Sequence, residues 1–382
     1  MINFSPVNFL GNIKKQITNY NQTTPKIYAP KLAPLSADCV SFTGARSLNH
    51  TLYDSFQNET QCKNVADNAQ IAKSNLQKTL NRALGDFTGI KGKKNNTELI
   101  ESIKVRIKTP ESIREKVVSV LEDAIINHIP QGFINPNDEE DIKNGLTDIV
   151  GARIVLKTAD PKKNADIIKA LIDQIKCSAL KVKKIDLMIA EGTNATNYPY
   201  FEWNDLKKLE SEINKIKERN GENPISIKPV HTKTGYTGLH IDVDLTSDNK
   251  FMPKYAGYSG EIQILGSNVA EFKELEDLCY KVYQDKDIKG GDVAYLPFQE
   301  QLKKQIKDKS TKEAWINYTK EAYKIQVQKD TDLAKGIETK SKNKFPSIAD
   351  CSMQGKIPSS LDFNILNKFK VKCDELEQLA AA

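Results

Sequence analysis

Four short stretches hold the side chains with the most chemical reach in this chain. RIKTPESIREK packs Arg106, Lys108, Ser112, Arg114 and Lys116 into eleven residues, enough cationic and hydrogen-bonding capacity to hold a polyphosphate. A solvated basic helix face has the same composition. Asp148 opens the apolar run DIVGARIVL, with Arg153 five residues on. A carboxylate at a strand end can take one oxygen position on Mg²⁺, and an Asp there also serves as an ordinary turn or cap residue. In an unbulged strand Asp148 and Arg153 point to opposite faces. In KTGYTGLH, Gly235 and Gly238 loosen the backbone around Tyr236, whose ring can stack on a nucleobase or simply pack at a strand start, and Lys233 stands close enough to serve a phosphate. SGEIQIL places Glu261 and Gln263 on one side of a strand that is apolar on the other, a pattern that solvent-facing alternation also produces.

The rest of the composition narrows what chemistry these groups serve. Only His50, His128, His231 and His240 are present, with no HD or HExxH pair, so a histidine-rich metal centre is disfavoured. The six cysteines are far apart, with no CxxC, which argues against a zinc knuckle or a disulfide scaffold and for reduced thiols. Lys and Arg number 56 against 50 Asp and Glu, a formal charge of +6 over 382 residues. That is a weak basic excess, poor evidence for nucleic acid on its own. No window approaches the roughly 18 consecutive apolar residues of a membrane span, and the first residues lack a basic segment followed by an apolar one. The expectation is a cytoplasmic protein with no membrane association.

Several elements must position these stretches. Residues 1–45 read as a disordered tail and 46–99 as a helical extension closing near Gly85, with Thr97 and Thr109-Pro110 as two further helix starts. From about residue 100 to 285, β-branched runs alternate with helical ones: Thr147 to Thr158 as a strand, then PKKNADIIKALIDQIKC as a helix, KVKKIDLMIA as a strand, and the charged helix NDLKKLESEINKIKERNG. GYTGLHIDVDLT sends Leu239, Ile241, Val243 and Leu245 one way and His240, Asp242 and Asp244 the other. It reads with SGEIQILG as a pair of adjacent, antiparallel strands, ahead of the helix VAEFKELEDLCYKVYQD. A Lys-rich helical extension over 286–335 and an irregular tail over 336–382 complete the chain. The fold class is α/β (α+β), a mixed sheet of about five strands flanked by helices.

Taken in order, RIKTPESIREK, DIVGARIVL, GYTGLH and EIQI resemble the four successive motifs of the RelA/SpoT family nucleotide pyrophosphokinase (alarmone synthetase) domain, over about Arg106 to Lys281. The resemblance implies transfer of the β,γ-pyrophosphate of Mg-ATP to the 3′-hydroxyl of GDP or GTP, giving AMP and a (p)ppGpp-type alarmone. It implies that Arg106, Lys108, Ser112 and Lys116 hold ATP, with Arg153 adding positive charge nearby. Asp148 ligates Mg²⁺, and Glu261 completes the metal site or accepts the 3′-hydroxyl proton, with Gln263 beside it. Tyr236 stacks on the acceptor base with His240 near it, and Lys233 is a further phosphate candidate. The chemistry needs no histidine cluster, because phosphoryl-type transfer depends on positioning and on neutralising charge.

The sequence also departs from the family pattern. Leu265-Gly266 stands where the family has Arg-Thr, so one phosphate-binding Arg is missing. Thr232 replaces a Lys four residues before Tyr236, ELEDLCYK has no His, and the helix near Asn204 to Asn220 is long. No His-Asp hydrolase signature precedes Arg106, which implies a synthetase-only activity. A tRNA 3′ end or an adenine nucleotide is the alternative acceptor, as in toxin-like relatives. A nucleotide-binding or interaction protein without transfer is the non-enzymatic alternative, against which the retained Asp148, Tyr236 and Glu261 argue. The helical flanks suit homo-oligomerisation or a regulatory protein partner.

Overall fold

In the computed structural model the described residues are 58–84, 98–126, 134–177, 180–245, 257–283, 304–305, 309–337, 346 and 350–351. The N-terminal tail and most of the C-terminal one lie outside them, as do the turn after Gly85 and the loop between the last two strands. The described chain falls into two compact units, one holding 58–68 and 108–146, the other 69–107 and the residues from 147 onward.

The first unit holds the start of α1 (Glu59–Leu84), α2 (Pro110–Ile126) and α3 (Glu139–Gly145). Thr109 caps α2 as its position before Pro110 predicts, with Oγ1 accepting from the Ser112 amide at 3.2 Å. Arg114 pairs with Glu59 at 2.8 Å, and Asn64 donates to Glu139 at 2.6 Å. Burial pushes the Cys62 thiol up to about 11, a packing cysteine rather than a reactive one.

The second unit is built on a six-stranded mixed sheet: β1 (Ile100–Ile107), β2 (Val150–Leu156), β3 (Lys181–Ala190), β4 (Ile227–Thr232), β5 (Gly238–Asp244) and β6 (Ser259–Gly266), in the spatial order β1-β2-β6-β5-β3-β4. β2–β6 and β3–β4 are parallel; β1–β2, β6–β5 and β5–β3 are antiparallel. The sequence expectation of about five strands places four of these six, and the two edge strands, β1 and β4, are the ones it did not place. The segment after Thr97 forms β1 rather than a helix, because Ile103, Val105 and Ile107 repeat every second residue with Lys104 and Arg106 between them. β4 is only six residues long and contains Pro229, which an edge strand tolerates. Asp148 does not open β2: the strand begins at Val150, and Asp148 lies in the irregular turn before it.

One face of the sheet is the core. Ala152, Ile154, Ile185, Leu187, Ile189, Leu239, Ile241, Val243, Ile262 and Ile264 are buried there. Helices α4 (Pro161–Lys176) and α5 (Trp203–Arg219) pack on each other and bury Ile167, Ile168, Leu171, Leu206, Leu209 and Ile213. Asp160 caps α4 ahead of Pro161, and Glu210 of α5 accepts from the Ile227 amide of β4 at 2.6 Å.

Helices α6 (Ser267–Tyr283) and α7 (Lys309–Ala334) pack together. The buried stripe of α7, with Trp315, Tyr318, Ala322, Tyr323, Gln326 and Asp330, follows helical three- and four-residue spacing. Asp330 is fully buried and anchors the helix: it accepts from Tyr200 Oη at 2.8 Å and from the Asn268 amide and Nδ2 at 2.9 and 2.8 Å. Gly266 makes the anchor sterically allowed, since a Cβ there would collide with the Asp330 carboxylate and lie 2.5 Å from Tyr200 Cε1. The glycine at this position therefore has a packing cause.

Between α6 and α7, Glu276 is 4% exposed and accepts from Tyr323 Oη at 3.3 Å, with Lys273 Nζ at 4.0 Å. Burial pushes its carboxyl up to about 7, with Asp277 acting the same way and Lys273 and Tyr323 opposing. A raised carboxyl stabilises the fold fully below the ordinary value near 4.5 and loses that contribution as pH rises through about 7. Denaturant unfolding should show native stability falling by about 3 kcal/mol between pH 5 and pH 8 in excess of the response of Glu276→Gln. Equal pH dependence in the two proteins would exclude a buried, neutral Glu276.

Candidate active site

The sheet face opposite the core is polar, and the strand registers organise it into two rows running across the strands. The first is Arg106, Gly151, Glu261, Asp242, Lys184; the second is Lys104, Arg153, Gln263, His240, Asp186, Lys228. Each row places acidic or amide groups on the central strands and cations toward the edges. Beyond the second row, Ser102, Val155 and Leu265 are in register, as are Gly238 and Met188. Neighbours in register point to the same face, so two pairings alone bring Glu261 beside Gly151 and Asp242.

Within these rows the side chains form a continuous hydrogen-bonded chain. Tyr236 Oη meets His240 Nε2 at 2.7 Å, and His240 Nδ1 meets Glu261 Oε1 at 2.9 Å. Gln263 Nε2 donates to Glu261 Oε2 at 2.5 Å, Arg153 Nη2 donates to Gln263 Oε1 at 3.5 Å, and Arg153 Nη1 meets Glu274 Oε1 at 3.3 Å. Glu261 is thus held at both carboxylate oxygens, and Arg153 is oriented from two sides. The Arg106 side chain passes beside its register partner Gly151, with Cγ and Nε each 3.7 Å from where a Cβ would lie there, an ordinary packing distance.

The acidic centre is electrostatically loaded. Burial, then repulsion from Glu261, pushes Asp242 up to about 6, against the attraction of Lys184 and His240. Lys184 is raised by its bond to Asp186, with Asp242 and Glu261 adding to it.

Five residues singled out from sequence, Arg153, Tyr236, His240, Glu261 and Gln263, meet in this network, and Arg106 lies over the same face. Asp148 sits in the turn ahead of β2, three residues before the register partner of Glu261. Lys233 is exposed on the turn between β4 and β5. Lys108 lies in the link between β1 and α2, and Ser112 and Lys116 in the first two turns of α2, all in the first unit, so the basic stretch is part strand and part helix rather than one helix face. Tyr236 is only 5% exposed: its ring packs edgewise on Tyr323 at 5.7 Å and lies under Lys273 Nζ at 4.5 Å. As packed, it offers no open face to a base. Sequence reasoning missed Asp242, Lys184, Asp186 and Glu274. The alternation of β5 had already put Asp242 beside His240, but only the register reveals its neighbour on β6.

Among the described residues no group of three or more His, Cys, Asp or Glu is placed to hold a metal ion by itself. Mg²⁺ is commonly held by one or two carboxylates, with phosphate and water supplying the rest. The mutual repulsion of Asp242 and Glu261 is the kind of local charge a divalent cation relieves, so the donor chemistry suits a nucleotide-bound Mg²⁺ rather than an all-protein cage.

No protein-family profile and no curated protein sequence matches the chain. Solved structures show a likeness. They include a GTP pyrophosphokinase family protein from Streptococcus pneumoniae, at 16% identity over 70% of this chain and 88% of that one, with a TM-score of 0.34. Small alarmone synthetase 1 from Bacillus subtilis is similar at 14% identity over 70% and 93%, TM-score 0.34. A structure of the same synthetase bound to its product pppGpp covers 72% and 95% at 14% identity, TM-score 0.33. No helix among the described residues is long and apolar enough to cross a membrane.

Proposed function

We propose that the chain is a cytoplasmic ATP-dependent pyrophosphokinase, transferring the β,γ-pyrophosphate of ATP to the 3′-hydroxyl of GDP or GTP. The observation that carries this reading is the Glu261 carboxylate, held at both oxygens at the centre of a polar sheet face with Arg106 and Arg153 on the flanking strands. The acceptor 3′-oxygen attacks the β-phosphorus of ATP, and the bond from that phosphorus to the α,β-bridging oxygen breaks. Glu261 accepts the proton from the 3′-hydroxyl, and AMP leaves with the bridging oxygen. Arg106 and Arg153 bind and orient the phosphates and offset charge that builds up during transfer. Mg²⁺, when bound with ATP, supplies further charge neutralisation, with Glu261 and Asp148 as its proposed protein ligands. The donor-phosphate role of Lys108, Ser112 and Lys116 rests on their motif.

One observation favours a second acceptor class. Leu265 is buried where the family has Arg, its side chain pressed against Gly238, so the site lacks a cation that the acceptor phosphates would otherwise meet. An adenine nucleotide or a tRNA 3′ end is the alternative acceptor. Incubation with Mg-ATP and each of GDP, GTP, ADP, ATP and deacylated tRNA separates these readings. Guanine nucleotide transfer supports the first, transfer only to tRNA or adenine nucleotides supports the second, and AMP release with none of them contradicts both.

A further inference from the structure

We infer that Lys273 is a displaceable cover on Tyr236: its ammonium stands over the ring face that an acceptor base takes, so acceptor binding includes moving this cation aside. The consequence for transfer rests on the pyrophosphokinase reading; the cover itself rests on geometry. The base and the 3′-hydroxyl of an acceptor belong to one nucleoside, so a ring two hydrogen bonds from Glu261 is placed to seat the base while the carboxylate meets the hydroxyl. Stacking needs an open ring face. Lys273 Nζ lies 4.5 Å from the Tyr236 centroid, inside the roughly 6 Å reach of a cation–π contact, and a base laid on that face needs the same space.

The other groups around the ring are fixed. Tyr323 touches it edgewise at 5.7 Å and is itself fully buried, packed edgewise on Phe272 at 4.8 Å with its hydroxyl on Glu276. His240 holds the Tyr236 phenol at 2.7 Å. Gly235 has φ +82°, and a Cβ there would lie 2.9 Å from the Lys320 carbonyl oxygen of α7. Thr232 Oγ1 donates to the Tyr236 carbonyl at 2.8 Å. Of these neighbours Lys273 is the one carried on a long flexible stem. Its ammonium donates to Asp277 at 2.6 Å, one turn further along α6, and lies 4.0 Å from Glu276. Asp277 is 43% exposed, so Lys273 can swing outward with this carboxylate and bare the ring while the pair and the helix stay intact.

Lys273→Ala uncovers the ring, whereas Lys273→Met keeps a chain of similar length across it. Calorimetric titration with GDP and ADP, and with guanosine and adenosine, reads the difference, with the donor site filled by Mg²⁺ and α,β-methylene-ATP, whose bridging carbon cannot leave. Lys273→Ala should tighten the nucleotide that binds the unsubstituted protein by about fivefold, the scale of one cation–π contact. Its nucleoside should tighten by the same factor, because the cover acts on the base and not on the phosphates. Lys273→Met should stay within about twofold of the unsubstituted protein for the nucleoside. A cation that serves the acceptor phosphates predicts the reverse, weaker nucleotide binding in Lys273→Ala with the nucleoside unchanged. That result overturns the cover, as do equal tightening in both variants, unchanged binding in both, and binding of neither nucleotide to any of the three proteins. If nucleotides bind and no acceptor supports AMP release from ATP, the pyrophosphokinase reading fails, and the titrations still decide the cover.

Discussion

Replacing Glu261 with Gln lowers the rate of AMP release by about a hundredfold to ten-thousandfold, the range spanned by a positioned acid–base group. The substitution nearly preserves shape and keeps an oxygen to accept from either His240 or Gln263, so the β6 ladder and the apolar face beneath it are undisturbed. What is lost is the negative charge and the basic oxygen at the centre of the polar rows. The amide also brings a donor against a neighbour that itself donates, which costs local order as well as basicity. Steady-state assays, with circular dichroism to verify the fold, check this outcome. A Glu261→Gln protein within about threefold of the unsubstituted rate would remove the carboxylate from the chemistry.

Asp330→Ala should destabilise the folded protein by about 3 kcal/mol. It strands the buried Tyr200 hydroxyl and both Asn268 donors at roughly 1–3 kcal/mol each before water relieves part of the cost. Asp330→Asn is the informative contrast. Burial raises the Asp330 carboxyl, against the hydrogen bonds from Asn268 and Tyr200. An amide oxygen can still accept from Asn268 while its NH₂ donates to the Tyr200 oxygen, and the expected cost is about 1 kcal/mol. Urea unfolding midpoints at constant m distinguish the two. Equal losses for both variants would mean that charge, not hydrogen bonding, anchors α7.

The parts of the fold that sequence conveys well are those in which local pattern and burial agree. β5 and β6 were legible because Leu239, Ile241 and Val243 alternate against His240 and Asp242, and Ile262 and Ile264 against Glu261 and Gln263. α4 and α5 were legible as the helical runs PKKNADIIKALIDQIKC and NDLKKLESEINKIKERNG. β1 was misread because Thr97 looked like a helix start, although Ile103, Val105 and Ile107 already alternate with cations. β4 has too few residues, and a proline among them, to signal a strand before its partner is known.

The candidate site was legible as residue types but not as an arrangement. Glu261, His240 and Arg153 belong to three strands, and their convergence depends on registers that no local pattern encodes. The same holds for Tyr236. Its sequence context, two glycines and a nearby Lys, is equally consistent with a stacking ring and a packed one, and its edgewise contact with Tyr323, nearly ninety residues later, has no local signal. Gly266 showed in the sequence only as a departure from the resembled motif, and its cause lies in the approach of Asp330 from α7.

The central claim is pyrophosphate transfer at the Glu261-centred face, and the most direct measurement follows both phosphates of the donor. With ATP labelled at the β- and γ-positions and the preferred acceptor, AMP and an acceptor carrying both labels should appear in a one-to-one ratio in the unsubstituted protein, and both should collapse together in Glu261→Gln. ADP with a singly labelled acceptor, or doubly labelled product formed undiminished by Glu261→Gln, would contradict it.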